Sequence, residues 1–346
     1  MNIRKTIFFL LALLAILLLS AKLFFKTSAN TKEYNISTVK LGTVISIVFY
    51  SEKEIDFDSL REGCLNKIDD AERTFSIHKK DSEINRLNKE AFSKSFYPSP
   101  GLLKMISRSK DYWEKTNGAF DPTILPILKL WGLSSFNKEE KKELPCKSEI
   151  EAMLSLLGME KVKINQDEKV RFENDTLLID LGGIAKGFII DEITDYLKND
   201  PDIISGIVNI GGDCRCFQKN KREAFKIGMC DPLQKDSVIG YVKGKNISIF
   251  TSGGYERYRE YKNKKYIHII DPISGYPLKN GVLSVTVMGD DSVKCDALAT
   301  ALMVLGPEKG KELIEKEKVK VFFIVHKDGK VDRIAVNGFE LINEDN

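Results

Sequence analysis

One stretch constrains the fold of this chain more than any other: Asp180-Leu-Gly-Gly-Ile-Ala-Lys-Gly-Phe-Ile-Ile-Asp191. The apolar run before it, Thr176 to Ile179, reads as a strand, and the amphipathic run that it opens, continuing to Lys198, reads as a helix. Between them, Gly182, Gly183 and Gly187 carry no side chain that would hold a ligand's bulky anion off the backbone. A helix start offers unpaired N–H groups and a partial positive charge, so it is a natural place for a phosphate. Asp180 and Lys186 add one acid and one base to the same turn, which suits a phosphorylated ligand held with a metal. The spacing is neither Gly-x-Gly-x-x-Gly nor that of a P-loop, so neither of those nucleotide-binding mechanisms applies. The competing explanation is a tight strand-to-helix connection with a solvated lysine.

Periodicity divides the rest of the chain. Gly42 to Tyr50 alternates as a strand, and Asp56 to Ile77 carries a helical face of Leu60, Cys64, Leu65, Ile68, Ala71 and Phe75. Asp81 to Asn88 reads as a capped short helix and Ser99 to Lys115 as a longer one. Beyond the central helix, strands are expected at Ile203–Ile210, Phe225–Gly228, Val238–Val242, Asn246–Thr251, Tyr266–Ile270 and Leu283–Met288. A helix over Val293–Leu305 follows, then a hairpin of Val319–His326 and Val331–Val336 turning at Asp328-Gly329. Helices come first and strands dominate later, so the fold class is α+β (mixed α/β), not a regular alternating parallel sheet.

The first thirty residues stand apart. Arg4 and Lys5 precede an apolar run from Ile7 to Leu19 that continues to Phe25, the layout of a secretory signal or N-terminal membrane anchor. Its length is close to the ~20 residues that span a bilayer. An uncleaved anchor is the expectation, with Thr27-Ser28-Ala29 as the alternative cleavage site. Residues 31–346 would then form a domain facing the outside of the cytoplasmic membrane. Net charge is only +3 with Lys and Glu interspersed, so there is no basic field for nucleic acid. Lys138 to Glu143 reads as an exposed mixed-charge loop. Six scattered cysteines show no zinc-ligand spacing and are expected to be free and buried, and three histidines without ligand spacing argue against a His-based zinc site.

Other strand ends and turns carry chemistry-bearing residues. Gly118-Ala-Phe-Asp-Pro-Thr123 reads most simply as a helix opening with Asp121 as N-cap and Pro122 at N1. Asn209-Ile-Gly-Gly-Asp213, Thr251-Ser-Gly-Gly-Tyr255 and His268-Ile-Ile-Asp-Pro272 each end an expected strand in a polar or diglycine turn. Together they would let a ligand lie against backbone at one edge of a sheet. Asp296 and Thr300, spaced i and i+4, share a helix face with small residues between. With a backbone carbonyl they make an all-oxygen set suited to Mg²⁺, although an Asp in a first helical turn also explains them.

These blocks in order, together with Leu41-Gly-Thr43 and Phe75-Ser…Asp81-Ser-Glu-Ile-Asn-Arg-Leu-Asn88, resemble the ApbE family, the FAD:protein FMN transferases. The resemblance covers nearly everything after the N-terminal segment. It implies T-fold-like sheets flanked by helices, with FAD as substrate and Mg²⁺ at its pyrophosphate. FMN would pass to a threonine hydroxyl of a target flavoprotein, such as a subunit of a redox-driven ion pump or electron-transfer chain, and AMP would leave. By position, it implies Asp296, Thr300 and the Gly183 carbonyl as metal ligands. Ala119, Phe120, Asp121, Asp180, Lys186 and Ile270 would contact FAD. So would Leu41 and His78, where the family often has Met and commonly has Tyr.

Phosphoryl transfer needs positioning and charge neutralisation more than a protein nucleophile. Lys186 would add positive charge to the transition state. The accepting threonine must lose a proton, and His268 is the first choice of base because an ordinary imidazole titrates near ~6.5. Asp271 and Asp180 are the alternatives. Two other readings share this site: an Mg²⁺-dependent FAD pyrophosphatase, in which water replaces threonine, and a membrane-tethered FAD-binding protein without catalysis.

Overall fold

The computed structural model of the protein describes residues 31–134, 143–219, 223–234, 237–254, 258–261 and 264–343. The N-terminal apolar run and residues 138–142 of the charged loop lie outside the described residues. Among the described residues no helix is long and apolar enough to cross a membrane.

Seven α-helices are present among the described residues: α1 (Phe57–Phe75), α2 (Glu83–Glu90), α3 (Pro100–Lys115), α4 (Leu125–Leu130), α5 (Lys147–Leu154), α6 (Ala185–Asn199) and α7 (Ser292–Glu317). The first three start where the sequence places a cap. Asp56 accepts the Ser59 N–H at 3.0 Å, Ser82 the Asn85 N–H and Ser99 the Leu102 N–H, each satisfying a donor that the first helical turn leaves free. In α1 the buried positions are Leu60, Cys64, Ile68, Ala71 and Phe75, the face that its apolar spacing announces.

Eight strands form one antiparallel sheet in the order β1 (Lys32–Lys40), β2 (Thr43–Ser51), β5 (Ile203–Ile210), β6 (Asp213–Gln218), β9 (Ile247–Gly253), β12 (Val282–Gly289), β13 (Lys320–Lys327) and β14 (Lys330–Val336). Three small hairpins lie outside it: β3 (Val162–Ile164) with β4 (Val170–Phe172), β7 (Phe225–Cys230) with β8 (Val238–Gly244), and β10 (Tyr258–Tyr261) with β11 (Lys264–Ile267). The class is therefore α+β, as expected. Helices α6 and α7 cover one face of the sheet and close the main core through Ile189, Ile190, Ile193, Leu197, Leu298 and Leu302. The opposite face is covered by the β7–β8 hairpin and the C-terminal segment. Tyr241 and Ile342 exchange two backbone hydrogen bonds of 2.8 Å, and Phe339 stacks on Phe322 with ring centroids 5.3 Å apart.

Several expectations are corrected. Thr176 to Ile179 is no strand: it starts in a bend where the Thr176 and Leu177 N–H groups donate to the Asn174 side chain, and no neighbouring strand pairs with it. The Asn88 amide takes that place, donating to the Ile179 carbonyl at 2.9 Å and accepting its N–H at 2.8 Å. β1 and β6 were not anticipated. β1 is an edge strand with only Ile36 buried, and β6 opens on residues that read as a turn. The strand expected over Tyr266–Ile270 ends at Ile267. The helix expected to stop at Leu305 resumes after a kink at Gly306, whose φ of 70° only glycine adopts freely, with Pro307 opening the second half. Of the cysteines, Cys64, Cys214, Cys216 and Cys295 are free and buried, but Cys146 and Cys230 are exposed.

Candidate functional site

A cavity of about 440 Å³ opens where several segments meet: the turn before α4, the Asp180–Lys186 turn, the end of β9, the segment after β11 and the first half of α7. Its volume is in the ~300–1,000 Å³ range of small-molecule sites. Ala119, Phe120, Asp121, Asp180, Gly183, Lys186, His268, Ile270, Asp296 and Thr300 all line it. Leu41 and His78 do not. Leu41 sits in the β1–β2 turn with a φ of 56° and packs against the main core, and His78 is exposed beside Ile77, which does reach the wall.

The Asp180–Lys186 turn is held from three sides. The Asn88 clamp secures Ile179, the Asp180 N–H donates to the Pro122 carbonyl at 2.8 Å, and the Asp180 carboxylate accepts the Gly182 N–H at 2.9 Å. Helix α6 then begins at Ala185 with no side-chain cap from Ile184. Its free first-turn donors are used by another helix: Gly187 N–H donates to Asp296 Oδ2 at 2.9 Å. The phosphate place expected on this helix start is thus occupied by the protein's own carboxylate. Gly187 is small for the same reason, since a Cβ there would lie 2.5 Å from the Ser292 carbonyl oxygen where the two helix starts cross.

Asp296 is 4 % exposed. Burial pushes its carboxyl up to about 7; the Lys186 charge and the Gly187 and Lys186 N–H groups oppose this, while the Asp213 charge adds to it. Thr300, one turn on, donates only a long 3.4 Å bond to the Asp296 carbonyl, so its oxygen lone pairs remain available. A Cβ on Gly183 would be 3.1 Å from Thr300 Oγ1 and 3.3 Å from Phe120, so only bare backbone fits between them. Carboxylate, hydroxyl and backbone carbonyl make a hard-oxygen donor set that fits a cation keeping further water or phosphate ligands, as Mg²⁺ does. Among the described residues there is no group of three or more His, Cys, Asp or Glu placed to hold a metal ion.

Asp121 is not the N-cap of α4, whose cap position is Ile124. Its Oδ1 accepts the Thr123 N–H at 2.8 Å and the Thr123 hydroxyl at 2.7 Å, and Thr123 in turn accepts the Gly158 N–H at 2.8 Å. Burial raises its carboxyl to about 6, partly offset by the Thr123 bonds. Asp271 does not line the cavity; its oxygens accept the Ile273 N–H at 2.9 Å and the Ser274 hydroxyl at 2.7 Å. Lys186 pairs with buried Asp213. The sequence places Asp213 and Thr251–Gly253 at strand ends against which a ligand could lie, but gives neither Asp213 nor Asn88 a role of its own. The diglycine turns were the available signal for the first two; nothing in the local sequence pointed to the clamp.

Comparison with known proteins gives the same grouping. The model of the ApbE family matches residues 41–323. A protein of Vibrio cholerae serotype O1 named FAD:protein FMN transferase is 30% identical over 335 residues, covering 96% of this chain and 97% of its own. One of Escherichia coli K12 with the same name is 29% identical over 270 residues, 77% of this chain and 76% of its own. Among solved structures, the apo form of the Pseudomonas stutzeri flavinyl transferase ApbE superposes with a TM-score of 0.79 at 25% identity, covering 89% of this chain and 96% of that one. The Thermotoga maritima ApbE protein gives 0.77 at 30%, covering 87% and 97%. With the fold, the cavity and a match spanning most of its length in agreement, this chain belongs to the ApbE family.

Proposed function

We propose that this protein transfers the FMN half of FAD to a threonine hydroxyl of a target flavoprotein, releasing AMP, with Mg²⁺ as its metal. The observation that carries this reading is the buried Asp296 carboxylate, held on the start of α6 beside Thr300 and Gly183 in the wall of a 440 Å³ cavity. The names of the relatives support the flavin half of it. Asp296, Thr300 and the Gly183 carbonyl would hold the metal, which when bound supplies charge neutralisation and Lewis acidity at the pyrophosphate.

The protein's side chains supply the rest. Phe120 and Ile270, both buried, offer apolar wall to the ring systems of FAD. Lys186 lends positive charge to the pyrophosphate oxygens. The threonine oxygen forms a bond to the FMN phosphorus, the bridging P–O bond breaks, and AMP departs with the bridging oxygen. The threonine proton passes to the His268 imidazole. Of the three bases considered, Asp271 lies outside the cavity lining while Asp180 and His268 are both in it, and His268 is taken because an ordinary imidazole is suited to accept a proton near neutral pH. The N-terminal apolar run would keep this chemistry on the outer side of the cytoplasmic membrane, where exported acceptors are found.

The test is to incubate the full-length protein with FAD, Mg²⁺ and a threonine-bearing flavoprotein fragment, and to weigh the fragment. A gain equal to FMN minus water, abolished by chelation, is expected. Asp296→Ala should lower that gain at least about a hundredfold, the scale of losing a principal electrostatic contributor, while the circular dichroism stays that of the wild type. AMP and free FMN accumulating without any mass gain would replace this reading with the pyrophosphatase.

A further inference from the structure

Asp213 lies among the charges of the site and has no role in the chemistry above. It opens β6 directly after Gly211 and Gly212, whose φ values of 63° and 99° turn the chain back from β5. Its side chain is 3 % exposed, yet it is fully engaged. One oxygen pairs with the Lys186 ammonium, and the other accepts the Thr251 N–H at 2.8 Å from neighbouring β9. Thr251 is itself pinned, its hydroxyl bonded to that of Thr286 at 2.9 Å. Arg215, the cation of β6 itself, is paired with Asp191 and does not compete for Asp213.

The site therefore holds two buried carboxylates, Asp213 and Asp296, and Lys186 acts electrostatically on Asp296 as well as pairing with Asp213. Among the ion pairs of the described residues, the Lys186 ammonium is placed on Asp213. The Thr251 N–H fixes one oxygen of Asp213 to β9, and this leaves the other directed at the ammonium. We propose that Asp213 is a positioning residue that keeps the Lys186 ammonium at the cavity wall and away from the oxygens of Asp296, so that those oxygens stay open to the divalent cation. The proposal deepens the transferase reading and rests on it for the identity of the metal.

Calorimetric titration of the full-length protein with Mg²⁺ alone tests it, on wild type, Asp213→Asn, Lys186→Met and the double variant. Asparagine keeps an acceptor for the Thr251 N–H and removes the charge that holds the lysine. Asp213→Asn is expected to bind Mg²⁺ about tenfold more weakly, a coupling of ordinary size for residues in contact, because Lys186 then competes at Asp296. Removing Lys186 as well should restore binding at least to the wild-type level, a rescue that a purely structural role for Asp213 does not produce. Wild-type affinity in Asp213→Asn, or a double variant as weak as that single one, would overturn the positioning role and leave the transferase reading standing. A wild-type protein that binds no Mg²⁺ would remove the metal from the functional reading and this proposal with it.

Discussion

At the scale of single residues, the site is built by making polar groups serve one another in places where water is scarce. Asp121 shows the cost. Its carboxyl, ordinarily titrating at 3.8, is raised to about 6 because burial disfavours the charge more than the Thr123 bonds favour it. Between about pH 4 and pH 6 the folded protein holds a proton that the unfolded chain releases, so this group's contribution to stability falls as pH rises through that window and is level above it. Asp121→Asn, which keeps an acceptor for both Thr123 donors, should match the wild type at pH 4. At pH 7.5 it should be more stable by about 1 to 2 kcal/mol, a discounted figure for a carboxyl that is only half-buried. Thermal melts of both proteins across that range decide it; parallel curves would exclude the burial penalty. FAD affinity should fall in the same variant if Asp121, which lines the cavity, contacts FAD as the family resemblance implies.

At the scale of elements, two placements matter: a helix start crossing another helix start, and a loop clamped by a side chain. Gly187→Ala puts a methyl group 2.5 Å from the Ser292 carbonyl oxygen and 2.7 Å from Val293 Cα, backbone atoms that cannot step aside. Overpacking of this kind costs about 1 to 3 kcal/mol. Because the Gly187 N–H also holds Asp296, the melting temperature and Mg²⁺ affinity should fall together. Asn88→Ala removes both hydrogen bonds from Ile179, at about 0.5 to 1.5 kcal/mol each. It should loosen the Asp180–Lys186 turn, read as faster amide exchange at Ile179 and weaker FAD binding. Unchanged exchange there would mean that the turn is held without the clamp.

At the scale of the whole molecule, the eight-stranded sheet separates the helical layer that carries the site from the thinner layer of β7, β8 and the C-terminal segment. Phe339, 4 % exposed, belongs to the second layer and packs with Phe322, Met229, Met288 and Ile324. Phe339→Ala should cost about 3 to 5 kcal/mol of stability, the usual loss for a large buried aromatic. FAD affinity below the melting transition should be unchanged, since no residue of that cluster lines the cavity. An equilibrium urea melt with a parallel FAD titration checks both halves. A large change in affinity would show that the two layers are coupled across the sheet.

The sequence by itself determined the elements that announce themselves locally. Helices with side-chain caps and an apolar stripe, such as α1 and α3, and the Asp328-Gly329 hairpin, with φ of 51° and 76°, need only neighbours in the chain. It also determined the oxygen pair Asp296 and Thr300, because i and i+4 on a helix share a face wherever the helix packs. Tertiary structure alone decided what those residues meet. That Asp296 occupies the start of α6, that Asn88 stands in for a strand at Ile179, and that Lys186 turns to Asp213 all depend on contacts between segments 27 to 109 residues apart in the chain. Local pattern carries no information about such contacts, because hydrogen bonding and burial are satisfied by whichever partner the packed fold brings near.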